Sequence, residues 1–67
     1  MRFVVKLTGR NGAISWLSTP NVDGLRTLVI RKSAEAFQSY EDAHIAIRKM
    51  PLDIEKRGAI FSVESAD

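Results

Sequence analysis

His44 is the one histidine of a chain that contains no cysteine, so it is the first side chain to consider for catalysis or metal binding. A metal site would need a second histidine at i+4 or clustered carboxylates, and a catalytic base would need a nucleophile and an orienting group. The sequence offers neither around His44. We therefore predict no catalytic, metal-binding or cofactor-binding residue, and we interpret His44 as a surface residue.

Four carboxylates are the other candidates for acid–base chemistry, which in glycoside hydrolysis uses a pair of them. They are Glu41, Asp42, Asp53 and Glu55. The first two are more simply interpreted as charges at the amino terminus of a helix, where they offset its dipole, and the other two as a solvated loop. The glycines fit no phosphate-binding pattern of a nucleotide site. The sequence therefore favours a non-enzymatic protein.

The segment Gly9–Gly12 resembles the G-x-x-G loop with which K-homology domains grip a nucleic-acid backbone. In that family helices flank the loop, whereas here the strand-like run Phe3–Leu7 leads straight into it, so a plain hairpin turn is the main interpretation. Nucleic-acid binding remains the alternative function, with affinity that falls steeply with salt. Its candidate residues are Arg10, Arg31, Lys32, Arg48 and Lys49.

Length and composition predict one small domain over residues 1–67. Hydrophobic residues make up 45% of the chain, which is too many for a disordered protein, and the length leaves room for one core. The net charge of +2 is too small to identify a partner. No apolar run approaches the roughly 18 residues of a membrane span, and Lys6 interrupts the first run, so neither insertion nor export is expected. The absence of cysteine favours the cytoplasm.

Four segments have the composition and alternation of strands. Arg2–Leu7 precedes an Asn-Gly turn, and Ala13–Ser18 follows it. The third segment, Leu25–Lys32, follows the turn-forming cluster Thr19–Gly24, and the fourth is Ala59–Glu64. In the first segment alternate residues Phe3, Val5 and Leu7 would share one face.

A single amphipathic helix is predicted over Tyr40–Met50. Ser39 is a suitable N-cap, Asp42 three residues later can answer it, and Pro51 ends the helix. The apolar stripe of this helix consists of Ala43, Ala46, Ile47 and Met50.

The connections between these elements are less regular. We interpret Ser33–Phe37 as a connector with Phe37 anchored in the core, Leu52–Arg57 as an irregular or helical turn, and Ser65–Asp67 as a fraying terminus. The predicted fold is α+β: an antiparallel sheet of three to four strands with one helix packed on one face, in the order β-β-β-α-β.

One helix can cover only one face of this sheet, yet the strands carry apolar residues for both faces. The second face would hold Val4, Val29 and Ile60, together with Ile14 and Trp16 or the residues that alternate with them. An apolar open sheet face on so small a domain indicates an interaction surface, and the alternative is a second face that is covered by loops. We therefore predict a binding module that acts as a homodimer or with another protein, with Trp16 as its anchor. The candidate residues are Val4, Ile14, Trp16, Val29, Ile45 and Ile60.

An Asn11-Gly12 turn, a Phe37-x-Ser39 motif and Ala43 with Ile47 together resemble the small bacterial YegP-type domains. The resemblance implies a β-meander that leads into a short helix opened by a serine, and it implies no established function. This chain has one unit where that family usually has two in tandem, a long Thr19–Arg26 insertion and an added final strand. In size and element order it is also similar to small phage and mobile-element proteins. That similarity implies a further alternative, inhibition of a host complex.

Overall fold

A four-stranded antiparallel sheet with a helix on one face makes up the part of the chain that the structure, a computed structural model, describes: residues 1–50 and 58–66. The elements in chain order are β1 (Phe3–Thr8), β2 (Ile14–Leu17), β3 (Leu28–Val29), a 3-10 turn (Arg31–Ser33), α1 (Tyr40–Arg48) and β4 (Ile60–Ser65). The strands lie in the order β3-β2-β1-β4. The predicted α+β class and the order β-β-β-α-β are confirmed.

The core lies between the sheet and α1, as the alternation in β1 predicted. Val5 and Leu17 are fully buried, and Phe3, Phe61 and Val63 pack against the same cluster. The buried members of that cluster are Val5, Leu17, Phe37, Ala43 and Ala46. Small alanines on the helix allow it to approach the sheet closely, so the larger strand side chains fill the space between the two layers.

The start of α1 follows the capping pattern of the sequence. Ser39 has extended backbone geometry, and its hydroxyl accepts a hydrogen bond from the amide of Asp42 at 3.0 Å. Glu41 and Asp42 occupy the first turn, so their interpretation as helix-end charges is confirmed. The helix ends at Arg48, two residues before the predicted Met50. Its last amides bond three residues back, which tightens the final turn.

The Ser39→Ala variant should lower the free energy of unfolding by about 1 kcal/mol, because an amide of the first turn loses its acceptor. Thermal unfolding followed by circular dichroism should show a melting temperature roughly 4–8 °C below that of the wild type. Gln38→Ala, one residue earlier at an exposed position, is the matched control and should change little. Equal effects of the two variants would contradict the capping role.

The third strand is much shorter than Leu25–Lys32. Only Leu28–Val29 pairs with β2, so the predicted boundaries are wrong on both sides. On the amino-terminal side the side chain of Asn21 accepts hydrogen bonds from two backbone amides within the loop, which holds the chain in a turn. On the other side the chain enters the 3-10 turn Arg31–Ser33, through which it leaves the sheet edge.

The connector and the carboxyl-terminal end are both held by backbone hydrogen bonds. Phe37 exchanges two of them with Phe3, at 2.9 and 2.7 Å, and is buried, which confirms its predicted role as an anchor. Ser65 belongs to β4, and the amide of Ala66 donates to the carbonyl of Arg2 at 2.8 Å, so the prediction of fraying is wrong for these two residues. Predictions on residues 51–57 and 67 lie outside the described residues.

Candidate functional site

The strand register defines the residues on the sheet face opposite α1, which we call the far face. Thr8 of β1 lies between Ile14 of β2 and Ile60 of β4, and these three form the row nearest the first hairpin. The next row contains Val29, Trp16, Lys6 and Ser62. Beyond it, Val4 lies opposite Glu64. The register places Val4, Val29 and Ile60 on this face, and of the two alternatives left open for β2 it places Ile14 and Trp16 there.

Half of the far face is covered by the chain itself. The guanidinium of Arg31 lies 5.2 Å from the centre of the Trp16 ring and donates a hydrogen bond to the carbonyl of Ser65 at 3.0 Å. Trp16 is only 9% exposed and Val4 only 5%. The expectation that both side chains are exposed is wrong, because the chain after β3 turns back and places Arg31 over the Trp16 ring and in one groove with Val4.

The other half of the far face is open. Ile14 is 54% exposed and Ile60 is 67% exposed, on either side of Thr8. Two strand spacings separate their backbones, which corresponds to about 10 Å. Val29, beside Trp16, is half-buried. Ile45 is exposed on α1, on the opposite side of the sheet, so it does not belong to this surface.

The basic candidates do not line one surface. Arg31 and Lys32 share a shallow groove of about 450 Å³ with Arg2, whereas Lys49 lines two other grooves that include Arg26. The remaining two are exposed and line none of these three grooves. They are Arg10, whose side chain lies against Gly58, and Arg48 at the end of α1.

The Gly9–Gly12 loop is a tight hairpin turn. The amide of Gly9 donates to the carbonyl of Ala13, that of Gly12 to the carbonyl of Gly9, and that of Ala13 to the side chain of Asn11. Gly12 has a φ of 86°, which a residue with a side chain rarely adopts. The hairpin prediction is confirmed. Several amides that a phosphate-binding loop would direct at its ligand are used within the turn.

His44 is less exposed than the sequence suggested. Its ring packs at 4.4 Å against that of Tyr40, one helical turn earlier, and its Nε2 is buried with no hydrogen-bond partner among the described residues. His44 is therefore half-buried and not fully on the surface. The spacing of Tyr40 and His44 by four residues was the available signal. Residues 1–50 and 58–66 contain no group of three histidine, aspartate or glutamate side chains that could hold a metal ion.

Arg26 is a structural residue that sequence reasoning did not identify. Its guanidinium lies 3.1 Å from the carboxylate of Glu35, donates to the carbonyl of Ser18 at 2.9 Å and lies 5.1 Å from the centre of the Phe37 ring. It thereby ties the loop before β3 to the connector before α1. These partners come from two separate segments, the end of β2 and the connector, so no local pattern in the sequence marks them.

The fold and the open row define the chain as a small α+β domain with an apolar sheet surface. No protein-family model, curated protein or solved structure matches it. The resemblance to YegP-type domains and the similarity to phage proteins therefore stay predictions. Within the described part of the chain, no helix has the length and apolar character needed to cross a membrane.

Proposed function

We propose that this chain is a non-enzymatic protein-binding module that acts through the open row of the far face. The observation that carries the proposal is the exposure of Ile14 and Ile60 on both sides of Thr8, in one cross-strand row. Two large aliphatic side chains held by the strands on either side of β1 lose little conformational freedom on binding, so their burial contributes efficiently to affinity.

The charges around the row favour a protein surface as the partner. Lys6 lies in the next row of the same face and forms an ion pair at 3.7 Å with Glu64 of the row beyond it, so the polar groups on this side of the open row form a neutral pair. An apolar centre with a polar rim is the usual arrangement of a protein–protein contact. Trp16 lies in the adjacent row of the same face and is not the proposed anchor, because Arg31 covers its ring.

Replacing both isoleucines by threonine, Ile14→Thr with Ile60→Thr, should weaken partner binding by at least about tenfold, because interface anchors of this size carry most of the binding energy. Proteins retained on the immobilised wild type and on the variant would be compared by quantitative mass spectrometry, and the complex confirmed with purified partner. Threonine keeps the β-branched shape that suits a strand, so the fold should persist.

The matched control is Ile30→Thr, which makes the same change at an exposed isoleucine outside the strands. It should retain wild-type binding. Equal binding by the double variant and the wild type would contradict the proposal. So would a loss of binding in the control, because the effect would then follow general surface hydrophobicity.

Nucleic-acid binding is the competing function, and its support is the groove that Arg2, Arg31 and Lys32 share. Fluorescence anisotropy with single-stranded and duplex DNA and RNA at low salt separates the two functions. Binding that falls steeply with salt and is lost in Lys32→Ala would favour nucleic acid, because each phosphate contact releases counterions. We propose a cytoplasmic location for the module on the absence of cysteine.

A further inference from the structure

The outer edge of the sheet at β4 is a second feature that could bind a partner. β4 is six residues long and lies at the end of the strand order, and no described strand pairs with its outer side. Proteins usually protect such an edge with lysine, proline or a bulge. β4 contains neither lysine nor proline, and its one charge, Glu64, is engaged by Lys6 of the same chain.

The main-chain groups that β4 directs outward follow from its register. The amide of Ala66 bonds to the carbonyl of Arg2, and hydrogen-bonded pairs alternate along an antiparallel ladder. The even-numbered residues of β4 therefore bond to β1. The amides and carbonyls of Phe61 and Val63 point away from β1, within the plane of the sheet, toward its outer edge.

The end of this edge is closed. The carbonyl of Ser65 accepts a hydrogen bond from Arg31, so the part that can pair with another strand runs from Ile60 to Glu64. The midpoint of that segment is Ser62. A symmetric partner that used the whole segment would place its two-fold axis at Ser62.

We propose that β4 of one copy pairs antiparallel with β4 of a second copy about a two-fold axis at Ser62, joining two four-stranded sheets into one. Phe61 of each copy then exchanges both backbone hydrogen bonds with Val63 of the other. These pairs unite an aromatic and a β-branched side chain, a favourable cross-strand combination, and they extend the apolar face that packs against α1.

The charges are compatible with this arrangement. Each Glu64 lies opposite an Ile60 of the other copy. The Glu64 of that other copy is four residues further along its strand, about 14 Å away, so the two carboxylates do not oppose each other. The interface uses the sheet edge, whereas the proposed function uses the open row of the far face. Ile60 belongs to both surfaces, but Ile14 lies on β2 away from the edge, so a variant at Ile14 distinguishes the two proposals.

A single cysteine tests the register directly, because the wild type contains none. In the proposed dimer the two copies of residue 62 form a non-hydrogen-bonded pair with Cα atoms about 4.5 Å apart, a separation that a disulfide can bridge. Ser62→Cys should form a covalent dimer under mild oxidation at micromolar concentration, and sedimentation of the wild type should show a concentration-dependent dimer. A monomeric wild type together with no disulfide in Ser62→Cys would overturn the proposal.

The controls are Ile60→Cys and Glu64→Cys. Neither should form a disulfide with itself, because each lies about 14 Å from its equivalent, but an equimolar mixture of the two should give the mixed disulfide, identified by its mass. Disulfide formation by Ile60→Cys alone as fast as by Ser62→Cys would overturn the Ser62 axis. Ile14→Thr, which lies on β2, should leave cross-linking unchanged, and this separates a failure here from a failure of the proposed function.

A charge variant gives a readout that does not depend on oxidation. Ser62→Glu places a carboxylate opposite Lys6 within each copy, which favours the folded monomer, but sets two carboxylates against each other across the axis. The variant should remain folded by circular dichroism and sediment as a monomer at concentrations at which the wild type is dimeric. A dimer as tight as that of the wild type would overturn the proposal. The proposal would also be overturned if the wild-type chain stayed monomeric and its β4 edge bound an unrelated strand-forming peptide.

Discussion

The Leu17→Ala variant is expected to lose a large part of the free energy of unfolding of this domain. Leu17 is fully buried and belongs to the core cluster between the sheet and α1. Truncation of a buried leucine costs about 2–5 kcal/mol, whereas a domain of this length has a total stability of about 3–10 kcal/mol. The expected loss is therefore a large part of the total. Urea titration followed by far-ultraviolet circular dichroism measures it.

Leu28→Ala is the matched control for this prediction. Leu28 lies directly opposite Leu17 in the β2–β3 register, but it is 44% exposed, so its truncation leaves no closed cavity. We expect a loss below about 1 kcal/mol. If the two variants were equally destabilised, the core would be placed wrongly. A fully folded Leu17→Ala variant with an unchanged urea midpoint would contradict the prediction.

The parts of the fold that the sequence predicted are those determined by short-range chemistry. The Asn-Gly turn after β1 and the Ser39 cap of α1 each depend on hydrogen bonds between residues a few positions apart. The alternation in β1 likewise needs only the two-residue period of a strand. These features could be predicted because the competing conformations lack the same local partners.

The third strand and the end of α1 show where local patterns fail. The run Leu25–Lys32 is rich in β-branched and aliphatic residues, but only Leu28–Val29 has a partner strand beside it. Asn21 and the backbone around Ser18 hold the preceding residues in a loop instead. Strand propensity describes how a residue fits a sheet and does not determine how far the neighbouring strand extends.

For the candidate site, the sequence indicated which sheet face its residues share, but it predicted their exposure to solvent only in part. Strand alternation placed Val4 on the far face and left open whether Trp16 or the residues that alternate with it lie there. Val4 and Trp16 are both covered on the side where Arg31 lies, and Arg31 reaches the Trp16 ring and a carbonyl of β4. Arg31 is 15 positions from Trp16 and 34 positions from Ser65 in the sequence. Contacts over such distances follow from the tertiary fold, and no periodicity in the sequence encodes them. The same argument applies to Arg26, whose partners are spread over a loop and the connector.

The Trp16→Ala variant should therefore reveal its effect in stability. The ring is 9% exposed and lies under the guanidinium of Arg31, so its removal opens the covered half of the far face. Truncation of a buried tryptophan costs about 3–5 kcal/mol. We expect a large fall in the urea midpoint, measured by circular dichroism because the only tryptophan is absent in the variant.

The loss of stability in Trp16→Ala has two contributions, the lost burial of the ring and the lost contact with Arg31, and the Arg31→Ala variant measures the second alone. The cation–π contact at a partly exposed site is worth about 0.5–1 kcal/mol, so Arg31→Ala should destabilise far less than Trp16→Ala. The double variant should be less destabilised than the sum of the two, because the arginine has lost its ring in either case. If Trp16→Ala were as stable as the wild type but had lost its partner, the ring would be an exposed anchor. The functional surface would then lie over Trp16 and not at the row of Ile14 and Ile60.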